Sequence, residues 1–294
     1  MAELSTAGLG APEEGFDFSK ADFQRVRALI YQRAGISLNP SKRSMVYSRL
    51  SRRLRALGKK DFASYLDDLE AGPQNAAEWQ QFVNALTTNL TSFFREAHHF
   101  PILSEHLRQV AGRGPLRVWC CAASTGEEPY TIAITAMETF DTLTPPVSIL
   151  ATDIDTSVLA TAQQGIYRED VIAKLAPALM KRYFLRGQGN NAGLVRLRPQ
   201  ARALVSYQRL NLLDARWPMD TRFDAIFCRN VMIYFDHETQ RRVLQKLAAH
   251  LAPHGLLFAG HSENFTHTSD LFRLQGKTVY RLADTTSAYR ERTA

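Results

Sequence analysis

The chain has 294 residues, 45% of them hydrophobic and 22% charged, with 16 glycines, 12 prolines and a formal net charge of +7. That composition excludes collagen-like, fibrous and disordered classes and suits one large domain or two modest ones. No run approaches the ~18 apolar residues of a membrane span, and residues 1–15 lack the basic start and apolar stretch of a secretory signal, so a cytosolic protein is expected. Three cysteines, two adjacent as Cys120 and Cys121, fit neither a disulfide framework nor a metal-ligand spacing, and no metal site is expected. The charge is unevenly placed. Residues 20–60 hold twelve Lys/Arg against one acid, Asp22, for +11, which leaves −4 for the rest of the chain. A basic N-terminal segment joined to a mildly acidic body implies two modules with different tasks.

In chain order, residues 1–15 are small, polar and acidic and read as a disordered tail. Residues 16–90 read as an all-helical domain. Phe23, Val26 and Ile30 recur at helical spacing, as do Val46, Leu50, Leu54 and Leu57, then Phe62, Tyr65, Leu66 and Leu69, then Trp79, Phe82, Val83 and Leu86. Gly35, Asn39-Pro40, Gly58 and Gly72-Pro73 punctuate these runs as caps and turns. Residues 91–114 read as a linker with a connecting helix over 94–111.

After Pro115 short apolar runs alternate with helical patterns: strands over 116–121, 147–152, 205–210, 223–228 and 255–260, and helices over 127–140, 157–164 and about 236–252. Alternation of this kind predicts parallel βαβ units in a doubly wound sheet with its ligand crevice at the carboxyl ends of the strands. Residues 272–282 read as a last pair of strands turning around Gln275-Gly276. This α/β domain is expected to span 115–284, with 285–294 as a flexible C-terminus. Between Tyr183 and Ala203, β-like runs broken by Gly187, Gly189 and Gly193 read as a small antiparallel insertion, whose edges can accept a peptide strand.

The turn after the first of these strands, Ala122 to Tyr130, is built of small residues and opens a helix, so the backbone can approach a ligand closely. Two carboxylates, Glu127 and Glu128, stand where a phosphate would bind, which points to a ligand with a cationic or amine-bearing part. The segment lacks both G-x-G-x-x-G and G-x-x-x-x-G-K-[ST]. Asp153 follows the next strand, where an acid commonly holds a ribose diol. Together these acids point to S-adenosylmethionine; singly, each could serve only the helix dipole or, with Asp155, a helix cap.

The segments 86–101 (LTTNLTSFFREAHHFP), 118–130 (VWCCAASTGEEPY), 151–155 (ATDID), 223–235 (FDAIFCRNVMIYF) and 256–265 (LLFAGHSENF) resemble the chemotaxis receptor methyltransferases, the CheR family, over residues 17–282. The resemblance implies a Rossmann-like S-adenosylmethionine-dependent methyltransferase domain with an N-terminal helical domain and a small β-subdomain. It further implies transfer of methyl to glutamate side chains on the cytoplasmic part of bacterial chemoreceptors, with S-adenosylhomocysteine as product. Residue by residue, it implies that Asn89, Thr91 and Arg95 contact cofactor and reacting centre, and that Glu128 with Glu127 binds the methionine end. Asp153 would hold the ribose, Asn211 and Leu212 the adenine, with Arg229 and Asn230 beside the cofactor and Tyr234 near the transferred methyl. The Gly187, Gly189, Gly193 pattern resembles the subdomain of members that dock on a receptor C-terminal pentapeptide.

A glutamate carboxylate, with a pKa near ~4.3, is ionised at neutral pH, so attack on a sulfonium methyl needs alignment and no general base. Arg95 could hold one acceptor oxygen, or pair with Glu96; Tyr234 could orient methyl or carboxylate, or simply pack. No catalytic role is assigned to His98, His99 or His261; adjacent residues on a helix face different ways, so at least one of the 98/99 pair reads as structural, and the three cysteines read as small apolar residues of buried strands. On a helical wheel Arg49, Arg52, Arg55 and Lys59 share a face away from Val46, Leu50, Leu54 and Leu57. The eight basic residues of 42–60, with no acid among them, would repel one another, and the stripe is read as a solvent-facing handle for acidic receptor helices. A nucleic-acid methyltransferase is the first rival, and the turn 229–234 (RNVMIY) in place of [ND]-P-P-[YF] counts against it. A non-catalytic adaptor is the second, and retention of acids at 127, 128 and 153 counts against that. A monomer without membrane insertion is expected.

Overall fold

The structure, a computed structural model, describes residues 15–72, 75–265 and 268–283. The expected tail before Gly15 and the expected flexible C-terminus lie outside the described residues. The chain opens with α1 (Lys20–Ala34), α2 (Arg43–Ala56), α3 (Phe62–Glu70) and α4 (Ala76–Leu86). Ser19 and Asp22 form a capping box at the start of α1, and Gly35 ends it at φ +68°. Phe23, Val26, Ile30, Val46, Leu50, Leu54, Phe62, Leu66 and Phe82 close into one apolar core. Leu57, expected on that face, is 40% exposed, because α2 ends at Ala56 and the register of the face is lost one residue later.

The connecting helix α5 (His99–Val110) is shorter than the 94–111 expected. Phe94 and Glu96 take left-handed backbone at φ +52° and +54°, which an α-helix cannot accommodate, so the stretch from Thr87 to His98 is a tight loop instead. Then come β1 (Leu116–Cys120), α6 (Glu127–Phe140), β2 (Val147–Asp153), α7 (Thr156–Gln164), β3 (Ile166–Arg168), α8 (Pro177–Tyr183), β4 (Phe184–Arg186), β5 (Leu194–Leu197), α9 (Pro199–Ala203), β6 (Val205–Arg209), β7 (Phe223–Cys228), α10 (His237–His250), β8 (Leu251–Ala259), β9 (Phe272–Gly276) and β10 (Val279–Leu282).

The main sheet is seven-stranded in the order β6-β2-β1-β7-β8-β10-β9. Strands β6 to β8 are parallel, and β10 and β9 add an antiparallel edge. Along β1, Val118 and Cys120 face the side covered by α5 and α6, whereas Trp119 faces α10. A sheet buried on both faces explains why its strands read as continuous apolar runs. The chain runs outward from β1 to β2 and β6 and then returns to β7 beside β1, so the strand order reverses between β1 and β7. The crevice of a doubly wound sheet opens there.

Three further boundaries differ from expectation. Strand β8 begins at Leu251, four residues early, because α10 stops at His250. The terminal hairpin turns at Lys277-Thr278, both left-handed at φ +51° and +57°, and not at Gln275-Gly276. The antiparallel insertion is wider than the expected 183–203. Its order is β3-β5-β4, so it starts at Ile166, with α8 inside it, and packs on α6 through Tyr167, Val195 and Leu197. No helix among the described residues is long and apolar enough to cross a membrane.

Candidate active site

At the reversal point lies a cavity of about 240 Å³ lined from both halves of the chain. Of the residues singled out in the sequence, Asn89, Thr91, Arg95, Glu128, Asp153, Asn211, Leu212, Arg229, Asn230 and Tyr234 all line it, whereas Glu127 does not. The Glu127 carboxylate is buried and accepts the Thr125 hydroxyl at 2.6 Å. Burial pushes its carboxyl above the usual range.

Glu128 sits in the first turn of α6, buried, between two donors: the Cys120 thiol at 3.2 Å on Oε1 and Arg229 Nη1 at 2.6 Å on Oε2. Cys120 is thus more than the apolar filler expected of it. Arg229 is 4% exposed and also faces Glu96 Oε2 at 3.3 Å, so two carboxylates share one guanidinium. Its Nη2 donates to the Arg95 carbonyl at 2.5 Å, which fixes the loop that carries Arg95. The Arg95 guanidinium itself donates to the Leu90 carbonyl at 2.7 Å, an intraloop bond and not the Glu96 pair considered above.

Asp153 ends β2 with Oδ2 accepting the Ser124 amide at 2.8 Å and Oδ1 the Asp155 amide at 2.9 Å. Burial outweighs these bonds and pushes the carboxyl up to about 6. Each oxygen keeps a second lone pair, the acceptor pair a vicinal diol needs. Asp155 caps α7 and accepts the Thr87 hydroxyl at 2.7 Å and the Asn89 side-chain amide at 2.8 Å. The Asn89 loop is therefore tethered to the end of β2. The Asn211 side chain donates to the Arg33 carbonyl at 2.8 Å and accepts the Leu213 amide at 3.0 Å, and Leu212 is buried beside it.

The helical segment was read as a separate module, yet Ala34, Ile36, Leu38, Asn39, Lys42 and Met45 line the same cavity. The Ser37 amide donates to the Tyr234 carbonyl at 3.0 Å. Nothing in the spacing of 34–45 marks these residues. Glu263 is not marked by the sequence reading either; the one acid of the segment 256–265, just past an apolar strand, is the signal that points to it.

The proposed basic handle is only partly solvated. Arg49 is half-buried and donates to the Ala85 and Thr87 carbonyls, Lys59 pairs with Asp68, and Arg53 pairs with Glu78. These acids, remote in sequence, relieve the repulsion expected within 42–60. Arg52 is exposed, and the Arg55 guanidinium lies 5.6 Å over the Phe16 ring. Gly187 approaches the Asn191 carbonyl so closely that a Cβ would lie 2.0 Å from its oxygen, and Gly189 and Gly193 have φ +57° and +81°. All three lie between β4 and β5, and none of them lines the cavity. His99 is buried, with Nε2 at 2.9 Å from the Lys277 carbonyl. Glu96, His98 and His99 bring one potential ligand atom each within 4.8 Å, Glu96 being engaged with Arg229.

A sheet that reverses beside β1, a buried acid opening α6, and a second acid with free acceptor capacity ending β2 define an S-adenosylmethionine-dependent methyltransferase. Residues 89–281 match the family described as CheR methyltransferase, SAM binding domain, and residues 21–87 the CheR methyltransferase, all-alpha domain. The chain belongs to the CheR methyltransferase family. It is 55% identical over 281 residues to the chemotaxis protein methyltransferase of Klebsiella aerogenes, covering 96% of each chain. It is 53% identical to that of Escherichia coli, over 92% of this chain and 93% of the relative. It is also 54% identical to chemotaxis protein methyltransferase 2 of Pseudomonas aeruginosa, over 90% and 94%.

Proposed function

We propose that this enzyme methylates glutamate side-chain carboxylates on the cytoplasmic part of bacterial chemoreceptors, forming methyl esters. The observation that carries this reading is that Arg95 and Tyr234 line the same cavity as Glu128 and Asp153. An anionic acceptor at Arg95 and a methyl donor at the two acids would then meet in one space. The relatives' name, chemotaxis protein methyltransferase, supports a receptor as acceptor.

S-adenosylmethionine, when bound, supplies an electrophilic sulfonium methyl. The chain's own residues do the rest. Asp153 accepts the ribose hydroxyls, Glu128 holds the amino end of the methionine part, and Asn211 with Leu212 frames the adenine. Asn89, Thr91 and Asn230 close the walls, and Glu127 supports the turn from behind through Thr125. Arg95 holds one acceptor oxygen while Tyr234 orients the acceptor. Because the acceptor is already ionised, no residue need take a proton, and alignment with exclusion of water can supply about 7–11 kcal/mol. Arg52 and Arg55 attract the acidic receptor helix, with Arg49 and Lys59 bracing the surface that presents them. The insertion, through Gly187, Gly189 and Gly193, leaves the β3 and β4 edges for a C-terminal receptor peptide to extend as a strand.

Labelled S-adenosylmethionine incubated with the enzyme and either receptor-containing membranes or nucleic acid tests this. Base-labile label on the receptor is the expected result; stable label on nucleic acid, or none anywhere, would overturn it. Calorimetric titration with a receptor C-terminal pentapeptide tests the docking edge, where absence of heat rejects it.

A further inference from the structure

The turn after β7 carries Arg229, Asn230, Val231, Tyr234 and Phe235 into the cavity. Its backbone amides leave the ladder at Cys228 and need other partners. Asn230 at φ +57° bends the chain so that the amides of Asn230, Val231 and Met232 converge, a concavity that elsewhere captures an external anion. Here the anion is internal. Glu263, 4% exposed, sits on the loop after β8, the strand beside β7. Its Oε1 accepts Val231 N–H at 2.9 Å and Met232 N–H at 2.8 Å. Its Oε2 accepts Asn230 N–H at 2.9 Å and Gly260 N–H at 2.5 Å.

Gly260 is part of the same device. It does not adopt left-handed backbone; its missing side chain is what counts, because a Cβ would lie 2.4 Å from Asn230 Nδ2 and 2.8 Å from Glu263 Oε2. A bare residue at 260 and a carboxylate at 263 together grip the turn at three amides, while the Gly260 amide ties the carboxylate to its own loop.

We propose that Glu263 is a positioning residue for methyl transfer, an internal carboxylate that sets the turn bearing Asn230 and Tyr234 against the methyl donor and acceptor. The proposal rests on the reading of that turn as part of the reacting cavity. A neutral amide cannot replace the carboxylate, since a glutamine would aim its own N–H groups at half of the four donors. A displacement of about 1 Å in such a turn costs roughly a hundredfold in rate.

The test uses the full chain with Glu263→Ala, Glu263→Gln and Gly260→Ala, measured for S-adenosylhomocysteine affinity and for receptor methylation, with sodium formate or sodium chloride at equal ionic strength. For Glu263→Ala the expected result is a kcat loss of roughly fifty- to hundredfold with receptor KM within about twofold, and formate but not chloride restoring about tenfold. Gly260→Ala, which keeps the charge but blocks the grip, should lose kcat and ignore formate. Unchanged kcat in Glu263→Ala, or a loss that formate leaves untouched, overturns the proposal. Should Glu263→Ala not fold, Glu263→Gln keeps the side-chain length and half of the bonds, and a wild-type kcat there is equally decisive. S-adenosylhomocysteine affinity needs no acceptor. If the wild-type enzyme leaves receptors unmethylated, the acceptor assignment fails, while weakened and formate-restored affinity in Glu263→Ala still upholds the role of Glu263.

Discussion

Asp153 combines two opposed influences: amides of Ser124 and Asp155 favour its charge, and burial disfavours it more, leaving the carboxyl near 6. The sign follows directly. Its ordinary value is 3.8 and the folded value is higher, so as pH rises from about 4 to about 6 this group progressively destabilises the fold, and it is ionised above about 6. The ionised form is the one with acceptors for both ribose hydroxyls. Affinity for S-adenosylmethionine should therefore fall as pH drops through about 6, by about tenfold per unit once protonation dominates. In Asp153→Asn it should be weak and flat from pH 5 to 8. Calorimetry across that range decides, and a wild-type affinity independent of pH would contradict the assignment. Arg229 makes a second case. Buried between Glu128 and Glu96, it is the cation that the two carboxylates share, so Arg229→Ala should cost about 3–5 kcal/mol in urea unfolding. A loss below about 1 kcal/mol would mean that water reaches those carboxylates.

Helix α2 shows how far periodicity carries. The buried positions Val46, Leu50 and Leu54 were legible because spacing along one helix is local information. What its basic face does was not, because the groups that meet it, Glu78 and the Ala85 and Thr87 carbonyls, belong to later elements. On the proposed function, the exposed Arg52 and Arg55 are the residues of this face that meet the receptor. Reversing both to Glu should raise the apparent receptor KM about tenfold at low salt, with little effect on kcat, and the difference should shrink as salt screens it. Unchanged kinetics at low salt would remove α2 from recognition. Backbone exceptions were equally hidden. Phe94 and Glu96, neither of them a residue that favours positive φ, are left-handed, and the hairpin turns on Lys277 and Thr278 while the obvious candidate Gly276 stands one residue before. Composition cannot announce such residues, because tertiary contacts, such as Phe94 N–H to Thr131 Oγ1 at 3.1 Å, impose the conformation.

For the molecule as a whole, the split between a basic helical part and an acidic sheet was visible in the charge, but the joining of the two was not. Arg33 to Asn211, Ser37 to Tyr234, Gln80 to Ile154 and Thr87 to Asp155 are bonds between residues far apart in sequence. Gly35 lies in that seam, left-handed, with space for a Cβ blocked by Leu213 Cδ1 at 2.8 Å and Phe235 Cδ1 at 3.1 Å. Gly35→Ala should cost about 2 kcal/mol or more from strain and overpacking together. It should also weaken S-adenosylmethionine binding, because Ala34, Ile36 and Phe235 line the cavity. Thermal melting and calorimetry on the one variant read both effects, and a stability loss with wild-type affinity would uncouple the seam from the site.

The wall formed by residues 34–45 also bears on inheritance. In many enzymes a targeting segment can be exchanged by recombination while the catalyst is left alone. Here a chimera that acquires a foreign helical segment acquires part of the methyl-donor pocket with it, and substitutions in one half are selected against the other. If the receptor is met as proposed, changes in its preference can accumulate on the outer face of α2, around the exposed Arg52 and Arg55, away from the residues that line the cavity.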